Sequence, residues 1–175
     1  MRLSTYISLR GLVQRPGGRG GEKTGPSPTD RGKPGTKRHL VVEARGIPLA
    51  ACSSAANVRD SRMMLEVVDA IEPIKCRRRG RPRKRPEKLH AGKAYDSAPP
   101  RAELRKRGIT PRIARRGIES SERLGRYRWV IERTGAWLNR YRRLTVRYER
   151  RDAIHQAFLD LGCALICRNF LQQWF

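Results

Sequence analysis

Leu89-His90-Ala91-Gly92-Lys93-Ala94-Tyr95, then Arg101-Ala102-Glu103-Leu104-Arg105-Lys106-Arg107-Gly108, then Ile109-Thr110-Pro111-Arg112-Ile113-Ala114 read as strand, helix and strand in succession. Gly108 stops the helix, because glycine takes the left-handed backbone after a last helical turn without strain. A β-α-β alternation places the chain in the α/β class, in which a helix carries the chain over one face of a sheet between neighbouring strands.

Upstream of this unit, Arg38-His39-Leu40-Val41-Val42-Glu43 and Ile47-Pro48-Leu49-Ala50-Ala51-Cys52 flank a turn at Ala44-Arg45-Gly46 and predict a hairpin. Asp60 or Ser61 is placed to cap a helix over 60–71, whose Met64, Leu65, Val67, Val68 and Ile71 form one apolar face before Pro73 ends it. Downstream, Leu124, Tyr127, Val130, Ile131, Thr134, Trp137, Leu138 and Tyr141 recur every three to four residues and predict one amphipathic helix from Ser121. Asp152 is a candidate N-cap for a terminal helix that packs on the domain through Ile154, Phe158, Leu161, Leu165 and Phe170. Residues 1–36, rich in Gly, Pro, Arg and Ser, lack apolar periodicity and read as a disordered or irregular basic segment, which leaves residues 37–175 as the folded part.

Forty Lys and Arg against 16 Asp and Glu leave a net charge of +24, which calls for a polyanionic partner. Most of the excess is Arg, whose planar fork matches phosphates and guanine edges, so nucleic acid leads and an acidic membrane surface follows. The longest apolar-looking run, Ala157 to Cys167, contains Asp160 and falls short of the ~20 residues of a membrane helix. Met1 to Val13 carries Arg2 and Arg10 and no continuous apolar core, so a secretory leader is not expected and an intracellular location is. Cys52, Cys76, Cys163 and Cys167 form no CxxC pair, and His39, His90 and His155 are scattered, which argues against a disulfide or zinc framework.

The loop 76–88 holds Arg77, Arg78, Arg79, Arg81, Arg83, Lys84 and Arg85, broken by Gly80, Pro82 and Pro86 so that no regular helix forms. It reads as a phosphate-binding loop; its Arg79-Gly80-Arg81-Pro82 core also resembles an AT-hook, whose arginines enter a narrow minor groove. Arg115 and Arg116 are further candidate DNA contacts. Trp129, Tyr141 and Tyr148, interleaved with arginines, are either base-stacking platforms or core aromatics. Arg128 and Glu132 lie one turn apart on the predicted helix, a spacing that by itself describes an ordinary surface ion pair.

Pro111 to Gly125, followed by Arg128-Trp129-Val130-Ile131-Glu132-Arg133-Thr134, resembles the C-terminal signature of insertion-sequence DDE transposases of the IS-five type, a branch with an IS-four-like DDE domain. The likeness continues through Trp137 to Leu144, Arg147 to Arg150, Ala153-Ile154-His155 and Ala164 to Cys167, and upstream through Thr24 to Gly35. It implies an RNase H-like mixed sheet flanked by helices with a helical C-terminus, carrying two Asp and one Glu that hold two divalent ions, Mg²⁺ being the expected one. Two such ions activate the attacking hydroxyl and stabilise the leaving oxygen in phosphoryl transfer. The resemblance puts Glu132 at the third, metal-binding carboxylate and Arg128 beside it as the supporting basic residue. It further implies insertion-sequence ends and target DNA as partners, and a cytoplasmic, nucleoid-associated bacterial protein.

Two positions depart from the family pattern. Where the family reads Ala-Asp-Lys-Ala-Tyr-Asp, this chain reads Ala91-Gly92-Lys93-Ala94-Tyr95-Asp96, with Gly92 at the metal-binding position. Asp96 lies four residues on, about 13 Å along a strand, too far to substitute, and reads as a strand-end or cap residue. The first Asp belongs to a strand just before the Gly-Gly-Glu-Lys segment, and Met1 to Gly20 has no acid at all. That strand is expected to be absent or replaced, as in a copy truncated at its N-terminus, with an incomplete sheet, an unpaired edge and possible self-association. Loss of two carboxylates leaves Mg²⁺ binding doubtful and predicts a degenerate, inactive transposase that still binds DNA. The alternatives are a competent enzyme completed by another chain, a non-catalytic DNA-binding protein using the AT-hook-like loop, and, more distantly, an RNA-binding protein.

Overall fold

The computed structural model describes residues 4–8, 15–16, 20–75, 82, 84–118 and 121–172, with the backbone alone for 4–8, 15–16 and 121–128. In chain order the elements are β1 (Ser4–Ser8), β2 (Arg15–Pro16), β3 (Gly25–Pro26), β4 (Pro34–Glu43), β5 (Pro48–Ala55), α1 (Asp60–Asp69) and β6 (Lys88–Ala91). A 3₁₀ turn at Lys93–Tyr95 leads to α2 (Ala98–Lys106), β7 (Thr110–Ile113), α3 (Ser121–Leu138), α4 (Arg142–Thr145), β8 (Val146–Arg147) and α5 (Asp152–Gln172). The mixed α/β class expected from the sequence is the one observed.

The sheet runs β5-β4-β1-β6-β7, with β3 pairing the start of β4. β5, β4 and β1 are mutually antiparallel, whereas β1, β6 and β7 run parallel, with Tyr6 opposite His90 and His90 opposite Arg112. Of the two expectations for the first strand, absent or replaced, absence and the unpaired edge that goes with it are corrected: β1, a strand without an acid, fills the centre of the sheet, bonded to β4 on one side and β6 on the other. Ser-Thr-Tyr-Ile-Ser has strand-forming residues but no carboxylate, and backbone pairing requires only the former. Together with β2 and β3, β1 also replaces the irregular structure expected over residues 1–36.

β4 is central and buried on both faces. Val41 points to the side covered by α1 and α2, in a core with Met64, Val67, Leu89, Leu104, Ile109 and Ile113. Its neighbours Leu40 and Val42 point the other way, onto α3 and α5, among Val130, Ile131, Leu138, Leu144, Leu159 and Ile166. The hairpin forms where expected. α2 begins three residues earlier than expected, with prolines in its first turn, where a missing N–H costs nothing.

Four local expectations change. The strand after Leu89 stops at Ala91, because the amides of Tyr95 and Asp96 turn back onto the carbonyls of Gly92 and Lys93 at 3.0 and 3.1 Å. α3 ends at Leu138, and the Thr145 hydroxyl donates to the Asn139 carbonyl at 2.8 Å, tying the short α4 to the break. Neither Asp60 nor Asp152 caps its helix. Arg59 stands at the first N-cap without a side-chain bond, and Asp60 accepts from Lys37 Nζ at 2.9 Å instead. The Asp152 carboxylate accepts from Ser53 at 2.6 Å and pairs with Lys23 at 2.8 Å, while its amide donates to Glu22 Oε2 at 2.8 Å. A side chain 130 residues away in sequence thus caps α5.

The buried stripe of α5 is also different. His155, Leu159, Gly162 and Ile166 face the core, whereas Ile154 and Leu161, expected inside, are exposed. The helix is apolar on both sides, so periodicity alone does not choose a face. Gly162 lies on the inward line: a Cβ there would lie 2.9 Å from Leu144 Cδ1 and 3.0 Å from Leu138 Cδ2, so those side chains pack close over the bare backbone. No described helix is long and apolar enough to cross a membrane.

Candidate functional site

Gly92 follows β6 directly, in extended backbone (φ −74°, ψ 172°) open to any residue. Among the described residues, a Cβ built there meets nothing within 4 Å. The rest of the loop is tightly built. Tyr95 is fully buried, its hydroxyl 3.4 Å from His39 Nδ1, and burial pushes its pKa well up. Asp96 Oδ1 accepts from Arg101 Nε and Nη2 at 3.0 and 2.8 Å, and Oδ2 accepts from the Arg116 amide at 2.9 Å. The Arg116 amide, and then Arg101, hold the Asp96 carboxyl below its ordinary pKa. Asp96 is thus a structural clamp joining the loop, α2 and the segment after β7, with both oxygens engaged.

Counting on from Tyr6 opposite His90, Ser8 comes level with Gly92 on the neighbouring strand, and Leu40 stands opposite Ser8 on β4. The β4–β5 turn at 44–47 therefore lies at the other end of the strands. α3 is anchored at that turn: the buried Thr134 hydroxyl donates to Gly46 O at 2.7 Å, and Arg133 Nη2 to Arg45 O at 2.5 Å. Glu132 directly precedes these anchors in α3 and is exposed. Arg128 lies in α3, within the part described by backbone alone. Arg133 is held between the rings of Trp129 and Trp137, 4.6 and 4.8 Å from their centroids. The structure thus gathers Tyr95, Asp96, Arg101 and Arg116 around the loop after Gly92, and carries Glu132 on a helix fixed near the opposite turn.

Among the described residues, no three His, Cys, Asp or Glu side chains gather as a metal site. A two-ion centre needs carboxylates to offset the dehydration of the ions. Gly92 has none to offer, Asp96 is spent on Arg101 and Arg116, and β1 is without an acid. The described residues do not fit such a centre.

Of the candidate DNA contacts, Arg77, Arg78, Arg79, Arg81 and Arg83 lie outside the described residues. Lys84, Arg85, Arg115 and Arg116 are exposed, with Arg85 Nη1 donating to Arg107 O at 3.0 Å and Arg116 Nε to Lys93 O at 3.2 Å. Two other arginines are interior. Arg38 donates to Asn139 Oδ1 at 2.7 Å, and Arg147 to Thr36 Oγ1 at 2.7 Å and the Glu149 carbonyl at 3.0 Å. Burial lowers the Arg38 pKa to about 10. Strand alternation holds the sequence signal for Arg38, since it shares the face of Leu40 and Val42.

A mixed sheet with helices on both faces agrees with the sequence match: the chain belongs to the transposase DDE domain family, whose model matches residues 12–167. It is 53% identical over 154 residues, 88% of this chain and 72% of the relative, to the Burkholderia cepacia protein named "Putative transposase for insertion sequence element IS402". No solved structure matches the chain. Its function class is DNA transposition by an insertion-sequence transposase, and enzymes of this family act on DNA with divalent metal.

Proposed function

We propose that this chain is a degenerate transposase that binds DNA through its basic surface and no longer cuts it. The open position at Gly92 carries the reading: the loop after it is clamped through Asp96 and seated on the buried Tyr95, and glycine offers no carboxylate at the position where the family resemblance calls for one. Sheet order supports an RNase H-like fold, in which three antiparallel strands continue into two parallel ones. The IS-five branch, Mg²⁺ as the family ion, Glu132 as third carboxylate and Arg128 as its basic neighbour belong to the same reading, as do insertion-sequence ends and target DNA as partners and a place on the bacterial nucleoid. DNA affinity follows from the +24 charge, which releases counterions from phosphates on binding.

Gel-shift titration across a salt series, beside a supercoiled-plasmid nicking assay with Mg²⁺, tests both halves. Binding that falls steeply with salt, without nicking, is the expected result. Robust Mg²⁺-dependent nicking by the purified chain overturns the loss of catalysis, and no binding at low salt overturns the DNA-binding role.

A further inference from the structure

The outward side of α5 carries a second apolar seam. Ile154, Ala157, Leu161, Ala164, Arg168 and Leu171 are all exposed and follow one another at alternating steps of three and four residues, the spacing that keeps side chains along one line of a helix in a coiled coil. Ile154 is 48%, Leu161 56% and Leu171 61% exposed, and this line lies nearly opposite the core-facing His155, Leu159, Gly162 and Ile166. Solvated helices of globular domains carry polar residues on that side, and a helix apolar all round is covered all round.

We infer that this face is covered by the same face of a second copy of the chain, the two α5 helices running antiparallel about a two-fold axis between Leu161 and Ala164. The residue pattern is complementary to itself in that arrangement alone. Ile154 meets Leu171 of the partner subunit, Leu161 meets the partner's Ala164, and Arg168 crosses over the partner's Ala157, large against small at the two inner layers. Arg168 then lies within one turn of the partner's Asp160, so both ends of the seam gain an ion pair that one helix cannot make with itself, its own Asp160 and Arg168 being two turns apart. A parallel pair would set Arg168 against Arg168. The side chains involved would bury on the order of 1,000 Å² in total, the size at which specific interfaces begin. The inference is independent of the proposed loss of cleavage.

Sedimentation of the full chain, freed of nucleic acid that would bridge copies, tests it. The expected result is a reversible dimer that tightens with salt, because screening reduces repulsion between two +24 chains, opposite to the salt response of DNA binding. Leu161→Glu weakens the dimer by roughly tenfold or more with an unchanged circular dichroism spectrum. Ala164→Glu, at a small exposed position, repeats the result should Leu161→Glu perturb folding. Asp160→Arg weakens the dimer, and adding Arg168→Asp in the same chain restores it. A chain monomeric at every soluble concentration, a dimer indifferent to both glutamates, or a monomer that instead coats neutral lipid vesicles overturns the inference.

Discussion

Asp96 grips the guanidinium of Arg101 through Nε and Nη2 at 3.0 and 2.8 Å, and Arg101 in turn donates through Nη2 to the Ile113 carbonyl at 2.8 Å. One ion pair thus fixes the loop after β6 to the end of β7. Charged hydrogen bonds of this type contribute about 1.5–3 kcal/mol each when broken from one side. Asp96→Ala is expected to destabilise the fold by about 2–3 kcal/mol in urea denaturation. Because the Asp96 pKa is depressed in the folded chain, its contribution is complete above the ordinary carboxyl pKa and is lost as pH falls through the lower, folded value. An unchanged urea midpoint in Asp96→Ala would remove the clamp from the account.

Gly92→Asp is expected to fold at least as well as the parent. The backbone there suits any residue, the added Cβ meets open space, and replacing glycine reduces the entropy of the unfolded chain by about 0.4–1 kcal/mol. Thermal melting checks this. A lower melting temperature would mean that the space is needed. The single substitution restores one carboxylate of three and is not expected to restore nicking.

The legibility of the chain divides along physical lines. The hairpin, α1 and the β-α-β unit were readable because each is defined by local pattern and turn chemistry. β1 was not, because Ser4–Ser8 is short, stands beside a Gly- and Arg-rich run, and owes its place to partners 32 to 84 residues away. The inward face of α5 is not legible in its apolar rhythm, because Ile154 and Leu161 on the outer side are as apolar as Leu159 and Ile166 on the inner one. At the site, the missing ligand at Gly92 was visible in sequence, while the engagement of Asp96 by Arg101 and the Arg116 amide required three dimensions.

Gly46→Ala is expected to cost more than about 1 kcal/mol. Gly46 has φ +88°, and a Cβ there would stand 2.9 Å from Thr134 Oγ1, the hydroxyl that bonds its own carbonyl at 2.7 Å. Thr134→Val, which keeps shape and removes the bond, should destabilise by a similar amount in the same urea titration. Additive losses in the double variant would show that the two residues do not act together.

Acid should unfold this protein early. Burial holds His39 at a pKa of about 3 and His155 at about 4, against a free value of about 6.5. His155 sits among Arg147, Glu149, Arg38 and Asp152, and among the described residues neither ring nitrogen has a hydrogen-bond partner. Both folded values are lowered, so the unfolded chain takes up protons first. Stability is complete above about pH 6.5 and declines as pH falls towards the folded values. His155→Leu should flatten that decline in urea midpoints measured from neutral pH downward; an identical pH slope in the variant would assign the acid sensitivity elsewhere.

The strand face bearing Leu40 and Val42 is covered by helices drawn from residues 121–172, and the helix that finishes the cover is itself capped by Glu22. A nascent chain therefore carries its central strands with one greasy side bare until α3 and α5 follow. Closure waits until α3 and α5 have been made, and a β1 strand inserted between partners far along the chain makes the search a long-range one, slow by the standard of helical proteins. For a copy of a mobile element, the time between synthesis and burial is when chaperones and proteases decide how much protein persists.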